Sequence, residues 1–227
     1  NRIAVGDHIL LGGDNMDLTL AFVMRQTLQK SQGVRLDRWQ FQALTQACRV
    51  AKESLFSDSA LTSCAVVVPS RGSKLIGGSI RTELSRGVLD QVLLEGFLPQ
   101  CAWDDTLNVS ARSALSDVGL PYAADPAITR HLATFLRRHA RDGKTIMSPT
   151  AVLFNGGVFK ASQLRARICS TLDEWAKAHN APAIRRLGSV NLDASVAMGA
   201  ACFGGVVQGD GIRIRGGLAH AYYVGVE

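Results

Sequence analysis

Apolar residues along this chain change their spacing several times, and each change marks an element. Phe41, Leu44, Cys48, Ala51 and Leu55 recur at intervals of three and four, which places them on one face of a helix. Asp37 and Gln40 supply a capping-box-like start for it. An earlier helix is predicted over about 17–29, with Leu18, Phe22 and Leu28 inward and Gly33 as its stop. Residues 2–11 alternate loosely through Ile3, Val5, Ile9 and Leu10, which predicts an edge strand leading into Gly12-Gly13. Apolar runs over 62–69 and 74–80 flank Ser70-Arg71-Gly72-Ser73 and predict a hairpin. A helix over about 82–97 follows, with Leu84, Val88, Val92 and Leu93 inward.

Further on, Asp125-Pro126 offers an N-cap and a proline for the first turn of another helix. Its Ile128, Leu132, Phe135 and Leu136 form an apolar stripe, and Arg130, Arg137, Arg138 and Arg141 make the remainder basic. Such a face can meet a partner or a membrane surface, but charged helix faces are usually just solvated, and that is the expectation here. Ala151-Val152-Leu153-Phe154 then runs into Asn155-Gly156-Gly157, and Leu164, Ile168, Leu172 and Trp175 follow at helical spacing. This predicts a buried strand, a tight turn and a helix start. Without Cβ atoms, Gly156 and Gly157 let a ligand approach the backbone, and the helix start offers N–H groups to an anion. The plainer alternative is a turn that only packs helix on strand. Over 191–201, Asp193 reads as an acidic N-cap opening a small-residue helix.

With 227 residues, 47% hydrophobic and 19% charged, the chain can build a sizeable core in one domain or two subdomains. No apolar run approaches the roughly twenty residues of a membrane helix, so no membrane partner is expected. The net charge of +6 is scattered and does not call for nucleic acid. Five widely spaced cysteines without a Cys-x-x-Cys support neither a zinc site nor a disulfide framework, and a reduced, cytoplasmic setting fits them. The chain begins Asn1-Arg2-Ile3, with no signal peptide visible, and reads as an excised piece. Gly143-Lys144-Thr145 imitates a phosphate-binding loop, but Arg138 stands where its first glycine belongs. Asn108-Val109-Ser110 fits a glycosylation acceptor that a cytoplasmic chain would not use. His131 and His139 lack partners at metal spacing and read as surface histidines.

Four stretches in order resemble the ATPase domain of the seventy-kilodalton heat-shock chaperones, the DnaK-like family of the actin-like ATPase superfamily. Leu11-Gly12-Gly13-Asp14-Asn15-Met16-Asp17 is similar to the family's Leu-Gly-Gly-Glu-Asp-Phe-Asp loop. Residues 44–55 resemble its adenosine-contacting helix, 152–157 its strand ending in Gly-Gly, and 191–201 its Pro-Asp-Glu-Ala-Val-Ala-x-Gly-Ala-Ala run. Tyr222-Tyr223-Val224-Gly225-Val226-Glu227 resembles the start of its peptide-binding β-domain.

The resemblance implies an α/β fold: an actin-like, ribonuclease-H-like second lobe formed by 1–16 with 150–208. It further implies a helix-helix-hairpin-helix subdomain over 17–98, an inserted helical connection over 99–149, and a tail over 209–227 leading to a β-domain. The connection is about thirty residues longer than the family's. ATP or ADP is the implied ligand, held between two lobes, with nucleotide state coupled to a peptide-binding domain. Gly12, Gly13 and Asp14 would lie at the γ-phosphate, and Arg49, Lys52 and Glu53 at the ribose and base. Gly156, Gly157 and Lys160 would lie along the adenosine, with Asp193 fixing the loop beneath. The family's Asp-Leu-Gly hairpins, which manage Mg²⁺ and the attacking water, are not in this stretch. The implied partners are therefore the missing first lobe, unfolded peptide clients and co-chaperones, and no residue here is assigned a catalytic or metal-binding role.

The sequence departs from the family at the base. Glu53 and Lys160 stand where two adenine-stacking arginines belong, and they are expected to face each other across the slot as an ion pair. Two rivals remain: another actin-like kinase, and a non-catalytic chaperone-like scaffold that binds a partner through 98–148.

Overall fold

Gly12 and Gly13 open a helix instead of closing a strand. In the computed structural model, which describes residues 4–6, 8–70, 78–108, 124–140, 146–188, 191–209 and 211, α1 spans Gly13–Gln32. It starts a turn earlier than its apolar spacing predicts because Asn15 reaches back and its Oδ1 accepts from the Gly12 N–H at 2.8 Å. Gly33 ends it in the left-handed conformation at φ 67°. The described residues before Gly12 form no strand, since no neighbouring chain segment pairs with them.

Helix α2, Arg38–Ser57, follows its sequence pattern closely. The Gln40 N–H donates to Asp37 Oδ1 at 2.8 Å and the Asp37 N–H to Gln40 Oε1 at 3.1 Å, which completes the capping box. Leu44, Cys48, Ala51 and Leu55 are buried, and Phe41 is half-buried. They pack against Met16, Leu20 and Met24 of α1, and against the hairpin of β1 (Ser63–Pro69) with β2 (Ser79–Ser85). The strands pair antiparallel from Ser63 opposite Ser85 to Pro69 opposite Ser79. The hairpin holds, but β2 takes Thr82–Ser85 from the predicted helix. Ser85 instead caps α3, Arg86–Val92, by accepting from the Val88 N–H at 3.3 Å. Leu84 therefore reaches the core from a strand and Leu93 from a π-helical turn at Leu93–Phe97; Val88 and Val92 are half-buried. The expected turn at 70–73 lies outside the described residues apart from Ser70.

Helix α4, Ile128–Arg138, buries Thr129, Ala133 and Leu136, with Ile128, Leu132 and Phe135 half-buried. Two of its arginines, Arg130 and Arg137, depart from the expectation of a solvated basic face, while Arg138 is exposed. Arg130 pairs with buried Asp125 at 3.2 Å. Arg137 donates to the carbonyls of Trp103 and, at 2.8 Å, Asp105. These carbonyls belong to an irregular segment that offers them no backbone donor, so the guanidinium satisfies them. Asp125 is not the N-cap and Pro126 is not in the first turn: Ala127 holds the cap position. Asp125, three residues before the helix, braces it by accepting from the Ala127 N–H at 2.9 Å and the Asn108 N–H at 2.8 Å. His131 and His139 are half-buried and hydrogen-bonded to the carbonyls of Asp125 and Phe135, not free at the surface. Arg141, the 143–145 and 109–110 motif residues, and the tail beyond Gly211 lie outside the described residues.

The last part is a parallel pair, β3 (Ala151–Leu153) with β4 (Arg185–Leu187), joined by α5, Ser162–Ala178. Leu164, Ile168, Leu172 and Trp175 are all buried, as their spacing predicts. Strand β3 is not: Leu153 is 61% exposed, since two strands leave one face of the pair uncovered. Helix α6, Ser195–Val207, buries no residue. The apolar interior is continuous from α1 to α5 in this mixed α/β chain. No helix among the described residues is long and apolar enough to cross a membrane.

Arg86 fastens the end of α2 to the hairpin, donating to the carbonyls of Leu55, Asp58 and Leu61 at 2.7–2.8 Å. Arg86→Ala leaves the half-buried Leu55 carbonyl without this charged donor, and urea denaturation is expected to show a loss of about 2 kcal/mol. A change below about 0.5 kcal/mol would mean that water replaces the guanidinium freely.

Candidate functional site

The N-terminus of α1, the second half of α2, the turn after β3 and the start of α5 surround a cleft of about 760 Å³. That volume is within the range of small-molecule sites. Nine of the ten residues singled out in the sequence line it: Gly12, Gly13, Asp14, Arg49, Lys52, Glu53, Gly157, Lys160 and Asp193. The tenth, Gly156, sits one residue outside. Its φ of 92° falls in the region that favours glycine, so it makes the turn and lets Gly157 face the cleft. A Cβ built at Gly157 meets nothing within 4 Å.

Between this turn and α5 comes a 3₁₀ turn, Gly157–Lys160, so the helix start stands further from the glycines than the sequence predicts. Asn155 anchors the turn twice: its Oδ1 accepts from the Gly156 N–H at 2.8 Å and from the Ser195 hydroxyl at 2.6 Å. The second bond ties the turn after β3 to the first residue of α6. Asp193 is not the N-cap of that helix. Asn191 shapes the loop by accepting from the N–H groups of Asp193 and Ala194 at 2.9 and 3.2 Å, and Ala194 stands at the cap position. This frees the Asp193 carboxylate to pair with Lys160.

The expected Glu53–Lys160 pair does not form. Glu53 accepts from Arg49 Nε at 3.3 Å, four residues back on the same helix, and Arg49 also lies 3.9 Å from Asp14. Neighbours on one helix face meet without a change of backbone, and Lys160 has Asp193 nearer at hand. Lys52 is not an exposed ligand contact either. It is buried, with Nζ 2.6 Å from the buried Asp17 Oδ1. Burial raises the Asp17 carboxyl above its ordinary value, against the opposing pull of Lys52. Burial also pushes the Cys48 thiol up to about 12, with the Asp17 charge adding to the shift, so Cys48 is no nucleophile.

Sequence reasoning missed Asp17, Asn15, Val50 and Phe56, all on the cleft wall. Asp17 stands four residues past Gly13, one turn into a helix that begins at the glycine pair. Placing the helix start at Asp17 hid that geometry. Among the described residues, Asn15 Nδ2 is buried without a hydrogen-bond partner. No group of three His, Cys, Asp or Glu residues is arranged to hold a metal among the described residues.

Lys52→Met strands the Asp17 carboxylate in the interior, and denaturation is expected to register a loss of about 3–5 kcal/mol. The exposed pair sets the contrast: Lys160→Met is expected to shift stability by less than about 1 kcal/mol. Equal losses for the two variants would show that the Lys52 pair is as solvated as the Lys160 pair.

No protein-family model matches the chain and no curated protein sequence does, so the functional reading stands on the resemblance of the four stretches and on the geometry of the cleft.

Proposed function

We propose that the chain is the second lobe of a two-lobed, actin-like ATPase of the seventy-kilodalton chaperone type, and that the cleft is its share of an ATP/ADP site. One observation carries this reading. Residues picked from four stretches between 12 and 193, by a resemblance that knows nothing of their distances, line a single cleft. The uncovered face supports it too. Leu153, Leu187 and most of α6 are exposed, as they would be in a lobe whose sheet is completed by further strands.

In this reading Gly12 and Gly13 bring backbone close to the γ-phosphate, and Gly157 lies along the adenosine. Arg49 stands at the ribose, while Lys52 acts from beneath by holding α1 to α2. Mg²⁺ and the attacking water would be managed by residues of the opposing lobe, and closure would change the grip of a peptide-binding domain. Of the basic residues on the 98–148 surface that the scaffold alternative would use, Arg130 and Arg137 are engaged in contacts within the chain.

Gly157→Val tests the assignment, since the new side chain has open space in the cleft and an ordinary backbone angle. The melting temperature is expected to stay within about 3 °C, and ATP affinity by calorimetry to fall at least about tenfold. An unchanged affinity would remove this turn from the nucleotide site.

Base selectivity gives a second test. With no guanidinium pair to sandwich a ring, ATP and GTP are expected to bind within about fivefold of each other, less than about 1 kcal/mol apart. A preference for ATP beyond about fiftyfold would place the base against other residues.

A further inference from the structure

A second cavity, of about 910 Å³, lies between the segment before α1, helix α4, strand β3 and helix α5. Its volume is within the range of small-molecule sites, and it shares no lining residue with the cleft. Buried Phe154 and Ile168 and half-buried Leu132, Phe135 and Phe159 give it an apolar wall. The Phe154 and Phe159 rings stand 5.0 Å apart, and Phe135 meets the His139 ring at 4.6 Å. The chain at Gly6 closes against Phe135, where a Cβ would come within 3.3 Å of the ring. Charge in the lining has one sign: His8, His131, Arg138 and His139 contribute, and no carboxylate does among the described residues. Two of these histidines have one nitrogen engaged. His131 Nε2 donates to the Asp125 carbonyl and His139 Nδ1 to the Phe135 carbonyl, each at 2.9 Å. Among the described residues, no hydrogen bond reaches the other nitrogen of either ring.

We propose that this cavity binds a small monocarboxylic acid with an apolar body, its carboxyl group toward the histidines and its body along the phenylalanines. A ring nitrogen that faces a carbonyl must carry a proton, because the carbonyl can only accept. The other nitrogen is then an acceptor in the neutral ring and a donor in the charged one. A carboxylic acid matches either state, since the proton it brings joins oxygen to nitrogen whichever atom holds it. A carboxylate is costly to bury without such partners. An alkylammonium of the same length meets groups of its own sign, and an alcohol gains a hydrogen bond but no charge. The phenylalanines, Leu132 and Ile168 take the apolar body out of water. The site stands on its own lining and does not depend on the nucleotide reading.

Calorimetry of the chain with decanoate, decanol and decylamine, in the absence of nucleotide, tests this. Decanoate is expected to bind with a dissociation constant below about 100 µM, at least about fivefold tighter than decanol and about tenfold tighter than decylamine. His139→Phe keeps a ring against Phe135 and removes the nitrogens. It is expected to weaken decanoate at least about fivefold and to leave decanol within about twofold, whereas a purely structural role would move both ligands together. Leu132→Trp fills the apolar part of the cavity and is expected to weaken both ligands at least about fivefold. Melting curves verify that the variants are folded; where one is not, the order of the three ligands on the unmodified chain decides. No decanoate binding up to about 1 mM, or decanoate no tighter than decanol, would overturn the proposal. So would equal losses for both ligands in folded His139→Phe, or no loss in folded Leu132→Trp.

Discussion

The buried pair of Asp17 and Lys52 sets the geometry on which the rest of the cleft depends. Removing two charges from water costs several kcal/mol per ion, and only close, well-directed contact offsets it. The 2.6 Å approach supplies the closeness, and it fixes α1 one turn past its start against the second half of α2. Gly13 is held there with little room: a Cβ would meet Val158 Cγ2 at 3.4 Å and Lys52 Nζ at 3.9 Å. The pair therefore decides how near the α1 terminus comes to the turn on the opposite wall, and so how wide the cleft is. An apolar pair of the same volume could hold the helices together as well. It would not specify which turn of α1 meets which turn of α2.

Arginine does comparable work at the irregular segments. Arg86 ends α2, Arg137 holds 103–105 against α4, and Arg167 bonds Leu98 O at 3.2 Å and Glu95 at 2.7 Å. Each segment turns carbonyls inward with no ladder to receive them, and a guanidinium has enough donors to satisfy several at once. These three guanidinium groups therefore serve the fold. The cleft is separate from them: among the described residues of its wall, three cations stand with four carboxylates.

The parts legible in the sequence were those set by local rules. The α2 capping box, the Gly33 stop and the α5 stripe each need only spacing and residue type. Thr82–Ser85 was illegible because Leu84 suits either period, and only pairing with 63–66 decides for a strand. Which residues share the cleft was legible through resemblance, but how their charges pair was not. Arg49 and Glu53 stand four apart on one helix, a local rule that favours their pairing. The resemblance points across the slot instead. Lys52 shows a different limit: periodicity placed it beside the buried stripe, but nothing in α2 announces a carboxylate on another helix.

Helix α6 stands with its apolar side chains uncovered. Its thirteen residues include Gly199, Gly204 and Gly205, and each glycine costs about 1 kcal/mol of helix stability relative to alanine. A helix this short is marginal in water by itself, and α6 buries nothing to compensate. Val196 is 77% exposed, Val207 70% and Phe203 57%, and each would contribute about 1.5–3 kcal/mol if covered. The same small residues that weaken the helix alone allow another backbone to lie close against it. The exposed Leu153 and Leu187 of the parallel strands present a second apolar surface. Under the proposed reading, further strands of the lobe's own sheet cover both surfaces. Ser195, bonded to Asn155, would then transmit any shift of that sheet to the glycine turn in the cleft.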